Sequence, residues 1–107
     1  MAENIRIRAR LVDPQETGLT EVRVLMLHPM ETGLRKNEAG DFVPAHYITQ
    51  VHVRHGERTV LQARMTLAVS QDPLLSFRFR GGRAGDSVSV HWTDNRGRQM
   101  HQEALVA

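Results

Sequence analysis

The sequence predicts an all-β protein, an immunoglobulin-like antiparallel sandwich of about seven short strands. Apolar residues recur at every second position along several short runs, and turn residues separate those runs. No window of a dozen residues carries an apolar stripe at helical spacing. The chain has 107 residues, and compact domains cluster at roughly 100 to 150, so one domain spanning 1–107 is expected.

Ile5, Ile7, Ala9 and Leu11 alternate with Arg6, Arg8 and Arg10, giving a first strand with one apolar and one basic face. Asp13-Pro14 ends it. Thr20 to His28 reads as a second strand, central because it is mostly apolar (Val22, Val24, Leu25, Met26, Leu27), and Pro29 stops it by removing a backbone donor. Tyr47 to Arg54 and Arg58 to Thr66 flank His55-Gly56, the expected two-residue hairpin turn. Leu67 to Pro73 connects, with a turn at Asp72-Pro73, to a strand in which Leu75, Phe77 and Phe79 alternate with Ser76, Arg78 and Arg80. Gly81-Gly82 breaks that strand. Val88, Val90 and Trp92 alternate with Ser89, His91 and Thr93, and Asp94 to Arg98 turns the chain into a last strand ending near Val106. With Asn95-Arg96-Gly97 as a three-residue loop and Gly97 left-handed, Trp92 faces Met100, Val90 faces Gln102 and Val88 faces Ala104. His91 then lies opposite His101 on the outer face.

Composition excludes several chemistries. There is no cysteine, hence no thiolate nucleophile, Cys-ligated metal or redox disulfide. The pI near 9.9 accompanies a formal charge of only +2, because 13 of the 14 basic residues are arginine and almost nothing titrates between neutrality and high pH. So small a charge with 5% aromatics argues against nucleic acid and anionic lipid as partners. No segment is long and apolar enough for a membrane span, and Met1-Ala2-Glu3-Asn4 is not a signal-peptide start.

The connection from Pro29 to His46 is about 18 residues, far beyond the usual loop and of a length that is usually either functional or disordered; its prolines with Gly33 and Gly40 favour an ordered one. Met30, Leu34 and Phe42 are apolar residues on it, suiting either a protein contact surface or a satellite core tucked beneath the loop. His91 and His101, with no carboxylate in view, read as solvated residues, and no metal is expected of them. His52 and His55 show no ligand spacing. The stripe Arg6, Arg8, Arg10 could track a polyanion, but a basic outer face that discourages edge pairing is the simpler reading. Ser70 has no orienting base in view, and no nucleophile or phosphate motif occurs, so no catalytic residues are expected.

The run His28-Pro29-Met30-Glu31-Thr32-Gly33, then Arg35-Lys36, Gly40, Pro44 and Ile48, resembles the signature loop of the SoxZ family. Supporting matches are the Gly56-Glu57 turn, Asp72-Pro73-Leu74 with Phe77 and Phe79, Trp92-Thr93-Asp94, Gly97, and Glu103 to Ala107; His55 departs from the Asn expected before the turn glycine. The resemblance implies a non-catalytic, cofactor-free subunit of the SoxYZ sulfur carrier of thiosulfate oxidation. Its partner would be SoxY, whose mobile C-terminal Gly-Gly-Cys-Gly-Gly arm carries the sulfur substrate to the other Sox enzymes. It also implies a periplasmic complex exported on the twin-arginine signal of SoxY, with no signal needed here. Loop length and motif together assign His28, Pro29, Met30, Glu31 and Arg35 to the partner surface, Met30 as apolar anchor and Glu31 and Arg35 as polar partners. Without SoxY, self-association would be one way to cover that surface. The competing reading is an immunoglobulin-like interaction or anion-binding module unrelated to sulfur oxidation.

Overall fold

Alternation decides which face each strand buries. In the computed structural model, which describes residues 5–13 and 18–107, seven strands appear: β1 (Ile5–Leu11), β2 (Leu19–Met26), β3 (Ile48–His55), β4 (Arg58–Arg64), β5 (Leu74–Arg80), β6 (Ser87–Asp94) and β7 (Gln99–Leu105). They form a three-stranded sheet, β1-β2-β5, and a four-stranded sheet, β4-β3-β6-β7, with every neighbour antiparallel. The described residues contain no helix. This is the expected immunoglobulin-like sandwich.

The core lies between the sheets. Ile5 and Ala9 of β1, Val22, Val24 and Met26 of β2 and Phe79 of β5 face Val51 and Val53 of β3 and Val88, Val90 and Trp92 of β6, all buried. Burying each of the larger aliphatic side chains contributes about 1.5–3 kcal/mol, which fixes the register because a one-residue slip would turn every one outward. The β6–β7 register is the one read from the sequence: Trp92 faces Met100, Val90 faces Gln102, Val88 faces Ala104 and His91 faces His101. Gly97, at φ +80°, turns the loop. On one side Leu11 N–H donates to Ala107 O (3.1 Å) and Ala107 N–H to Ala9 O (2.9 Å), sewing β1 to the chain that follows β7. The Gly81-Gly82 break has a steric reason, since a Cβ on Gly82 would sit 2.1 Å from Thr20 Oγ1.

Some boundaries differ from expectation. The β3–β4 turn is Gly56-Glu57, not His55-Gly56: Gly56 adopts φ +59°, and His55 ends β3 opposite Arg58. The His55 ring is held in place by Asp86, Nε2 to Oδ2 2.7 Å, and stacks 5.0 Å from Phe79. β2 stops at Met26, short of His28, because Met26 N–H goes to Pro73 O and His28 N–H to Asp72 Oδ1, both 2.9 Å. Pro14, the expected end of β1, lies outside the described residues.

Candidate functional site: the root and tip of the long loop

The chain leaves the core after Met26 and re-enters at Ile48, so the loop begins and ends on different sheets. It is ordered by its own hydrogen bonds. Glu31 and His46 exchange backbone bonds of 2.6 and 2.9 Å, Val43 N–H reaches Arg35 O at 2.7 Å, and Asn37 Oδ1 accepts from the N–H groups of Ala39 and Asp41 at the far end.

A buried knot fastens the root. Asp94, the last residue of β6, has a fully buried carboxylate in which both oxygens are used. Oδ2 accepts from His46 Nε2 (2.8 Å) and His28 Nε2 (3.2 Å), while Oδ1 accepts from the N–H groups of Arg96 (3.0 Å) and Arg98 (2.9 Å). The His28 ring packs edge-on against His46 at 4.5 Å and Trp92 at 5.2 Å. Burial by itself would raise the Asp94 carboxyl, yet the His46, His28 and backbone donors outweigh it and hold the group below the usual carboxylate range. Burial pushes the His28 imidazole down, a shift Asp94 opposes and the nearby His46 and Arg98 reinforce.

Met30 completes the root. Its backbone takes φ +49°, a conformation side chains rarely adopt. Its N–H donates to His28 Nδ1 (3.1 Å), its sulfur accepts from Ile48 N–H (3.3 Å), and its side chain is 5% exposed. Asn95 stitches the returning arm: Oδ1 accepts from Tyr47 N–H (2.8 Å) and Nδ2 donates to Ala45 O (2.9 Å).

His28, His46 and Asp94 could in principle hold a metal ion, since their ligand atoms lie within 4.8 Å of one another. The donor pattern does not fit one. A neutral metal-bound imidazole carries a proton on its second nitrogen and donates it. At His28 that nitrogen, Nδ1, already accepts from Met30 N–H, so the proton sits on Nε2 and points at Asp94. The knot is a closed set of hydrogen bonds that orders the loop.

The tip is the opposite. Leu34 is 77% and Phe42 60% exposed, with Lys36 Nζ over the Phe42 ring at 5.1 Å. Glu31 accepts from Arg35 Nε through both oxygens (3.0 and 3.1 Å) as well as from its Nη2.

The expected partner-surface residues therefore divide. Pro29 and Arg35 are exposed and Glu31 is half-buried, as a surface needs. His28 and Met30 are not on the surface: the knot and the core take their side chains, so Met30 cannot present itself as an apolar anchor. Of the two readings for the apolar loop residues, Met30 is tucked and Leu34 and Phe42 are displayed. His46 and Asp94 are the residues that sequence reasoning missed. The signal available was three polar side chains at strand ends: His28 after β2, His46 before β3 and Asp94 closing β6.

Elsewhere, His91 and His101 do lie side by side, but a carboxylate is nearer than the sequence suggested: His101 Nε2 is 3.8 Å from Glu103 Oε1, while His91 Nε2 pairs with Gln99 Oε1 at 2.9 Å. His52 sits on the other side of His91 and bonds Thr59 at 2.8 Å. Arg6, Arg8 and Arg10 point outward.

A family model described as sulphur oxidation protein SoxZ matches residues 7–105. Two solved structures of superoxide reductase (neelaredoxin) from Archaeoglobus fulgidus in the reduced form, one a point variant, share the fold. Their TM-scores are 0.64 for the variant and 0.61 for the other, each at 17% identity over 98% of this chain and 88% and 89% of theirs. At that identity the likeness concerns the fold alone. No curated protein sequence matches the chain.

Proposed function

The chain belongs to the SoxZ family and has a role in the Sox system of sulfur oxidation, and on that premise we propose that it is the non-catalytic subunit that docks and stabilises SoxY. SoxY then carries the sulfur substrate on its cysteine arm, which suits a chain with no cysteine of its own. The observation that carries this reading is the contrast within one loop: a root locked by buried hydrogen bonds holds out a tip with two exposed apolar side chains. Such preorganisation lowers the entropy cost of binding.

In this reading Leu34 and Phe42 supply apolar contact, with Pro29, Glu31 and Arg35 beside them. His28 and Met30 act from beneath by fixing the loop's shape. The complex would work in the periplasm, exported on the signal of SoxY. Co-expression with SoxY tests the reading: a stable one-to-one complex by mass determination supports it, and failure to co-purify rejects it.

A further inference from the structure

The three-stranded sheet turns a basic face to solvent. Alternation places Arg6, Arg8 and Arg10 of β1, Arg23 of β2, and Arg78 and Arg80 of β5 on it, with Glu21 as the strand carboxylate among them. Six arginines against one glutamate exceed the formal +2 of the whole chain. Glu21 is engaged by Arg10 at 2.7 Å and, more loosely, by Arg23 at 3.7 Å. Arg6 and Arg8 have no ion-pair partner among the described residues.

The register sharpens the point. Arg8 stands directly opposite Arg23, and like charges so placed work against the sheet. One row on, Arg6 faces Leu25 and Leu25 faces Leu74, which is 62% exposed. Between these rows lies a hollow of about 330 Å³ lined by Arg6, Ile7, Arg8, Arg23, Leu25 and Leu74. Solubility alone requires neither an opposed arginine pair nor an exposed leucine at a hollow.

A carboxylate between Arg8 and Arg23 would turn their repulsion into a clamp, because guanidinium groups donate in forks that match carboxylate oxygens. Leu25 and Leu74 beside it call for an apolar neighbour, which a phosphate backbone does not offer. Phe77 and Phe79 point inward, so no aromatic ring of these strands is available for stacking bases. We propose that this hollow docks an acidic segment of a partner protein, its carboxylates bridging Arg8, Arg23 and Arg6 while an apolar side chain covers Leu25 and Leu74.

The test is an NMR titration of the isotope-labelled full chain with a short synthetic peptide of alternating Glu and Leu. Sodium sulfate and a single-stranded oligonucleotide serve as parallel arms. The expected result is shifts confined to residues 6–8, 23–25 and 74, with affinity dropping about tenfold or more between low and physiological salt. Arg8→Gln combined with Arg23→Gln should cost at least about tenfold in peptide affinity, whereas Arg54→Gln on the opposite sheet and the tip variant Leu34→Asp should cost nothing. Arg8→Glu should abolish peptide binding yet raise Tm by about 2–6 °C at low salt, because it replaces a repulsive pair with an attractive one. Scattered or absent shifts, equal loss from Arg54→Gln, or sulfate or oligonucleotide binding as tight as the peptide would each overturn the proposal. Retention of peptide binding in Leu34→Asp separates this surface from the SoxY-facing tip.

Discussion

The loop between β2 and β3 holds two regions that follow opposite rules. At its root every polar group of the Asp94 carboxylate is satisfied and buried; at its tip Leu34 and Phe42 stand in solvent. Buried polar networks are costly to leave half-made, while exposed apolar groups matter little to the free fold and gain when a partner covers them. Changes at the root should therefore be read in stability, and changes at the tip in association.

The largest expected effect is Asp94→Ala, which leaves two histidines and two backbone N–H groups without their acceptor. A loss of about 3–5 kcal/mol in urea unfolding is expected; an undiminished midpoint would show that the root is not locked as described. Met30→Ala comes next, at about 2–4 kcal/mol, since it empties a core position packed near Ile48. Acid should loosen the root further. The unfolded chain accepts a proton on His28 near pH 6.5 that the folded chain resists, and Asp94 is likewise held down. In both cases the unfolded state binds more protons, so stability falls with pH, first below about 6.5 through His28 and then through the carboxylate range through Asp94. Calorimetry from neutral pH downward should show a declining Tm, and His28→Gln should flatten the upper part of that decline. At the tip, Leu34→Asp with Phe42→Ala should change stability by no more than about 0.5 kcal/mol while weakening the proposed association with SoxY by at least about 1 kcal/mol. Smallest is Arg35→Gln, which should move Tm little, because the Arg35 side chain that makes the ion pair with Glu31 is itself mostly exposed.

Strand positions and the β6–β7 register were legible because period-two alternation is a local signal, and Trp92 and Met100 could face each other in only one sensible pairing. The presence of a long connection between β2 and β3 was legible from the break in alternation after Pro29. The knot was not. His28, His46 and Asp94 sit just beyond or at strand ends, where alternation no longer says which way a side chain points, and they meet only because the sandwich brings those ends together. The same limit misplaced Met30. A methionine between Pro29 and Glu31 looks like a displayed residue until a left-handed backbone turns it inward. The hairpin turn lies one residue later than expected, because Gly56 takes the left-handed φ of +59° while His55 stays in the β3 ladder opposite Arg58.

The knot also has a meaning in time. It ties residues 66 and 48 positions apart in the chain, whereas the β3–β4 and β6–β7 hairpins close over short turns. Local hairpins form quickly and contacts of long sequence separation form slowly. The root can close only where β2, β3 and β6 already lie together, because it draws on the ends of all three. A well-shaped tip therefore depends on both sheets being assembled, because the root beneath Leu34 and Phe42 is built from strand ends of each.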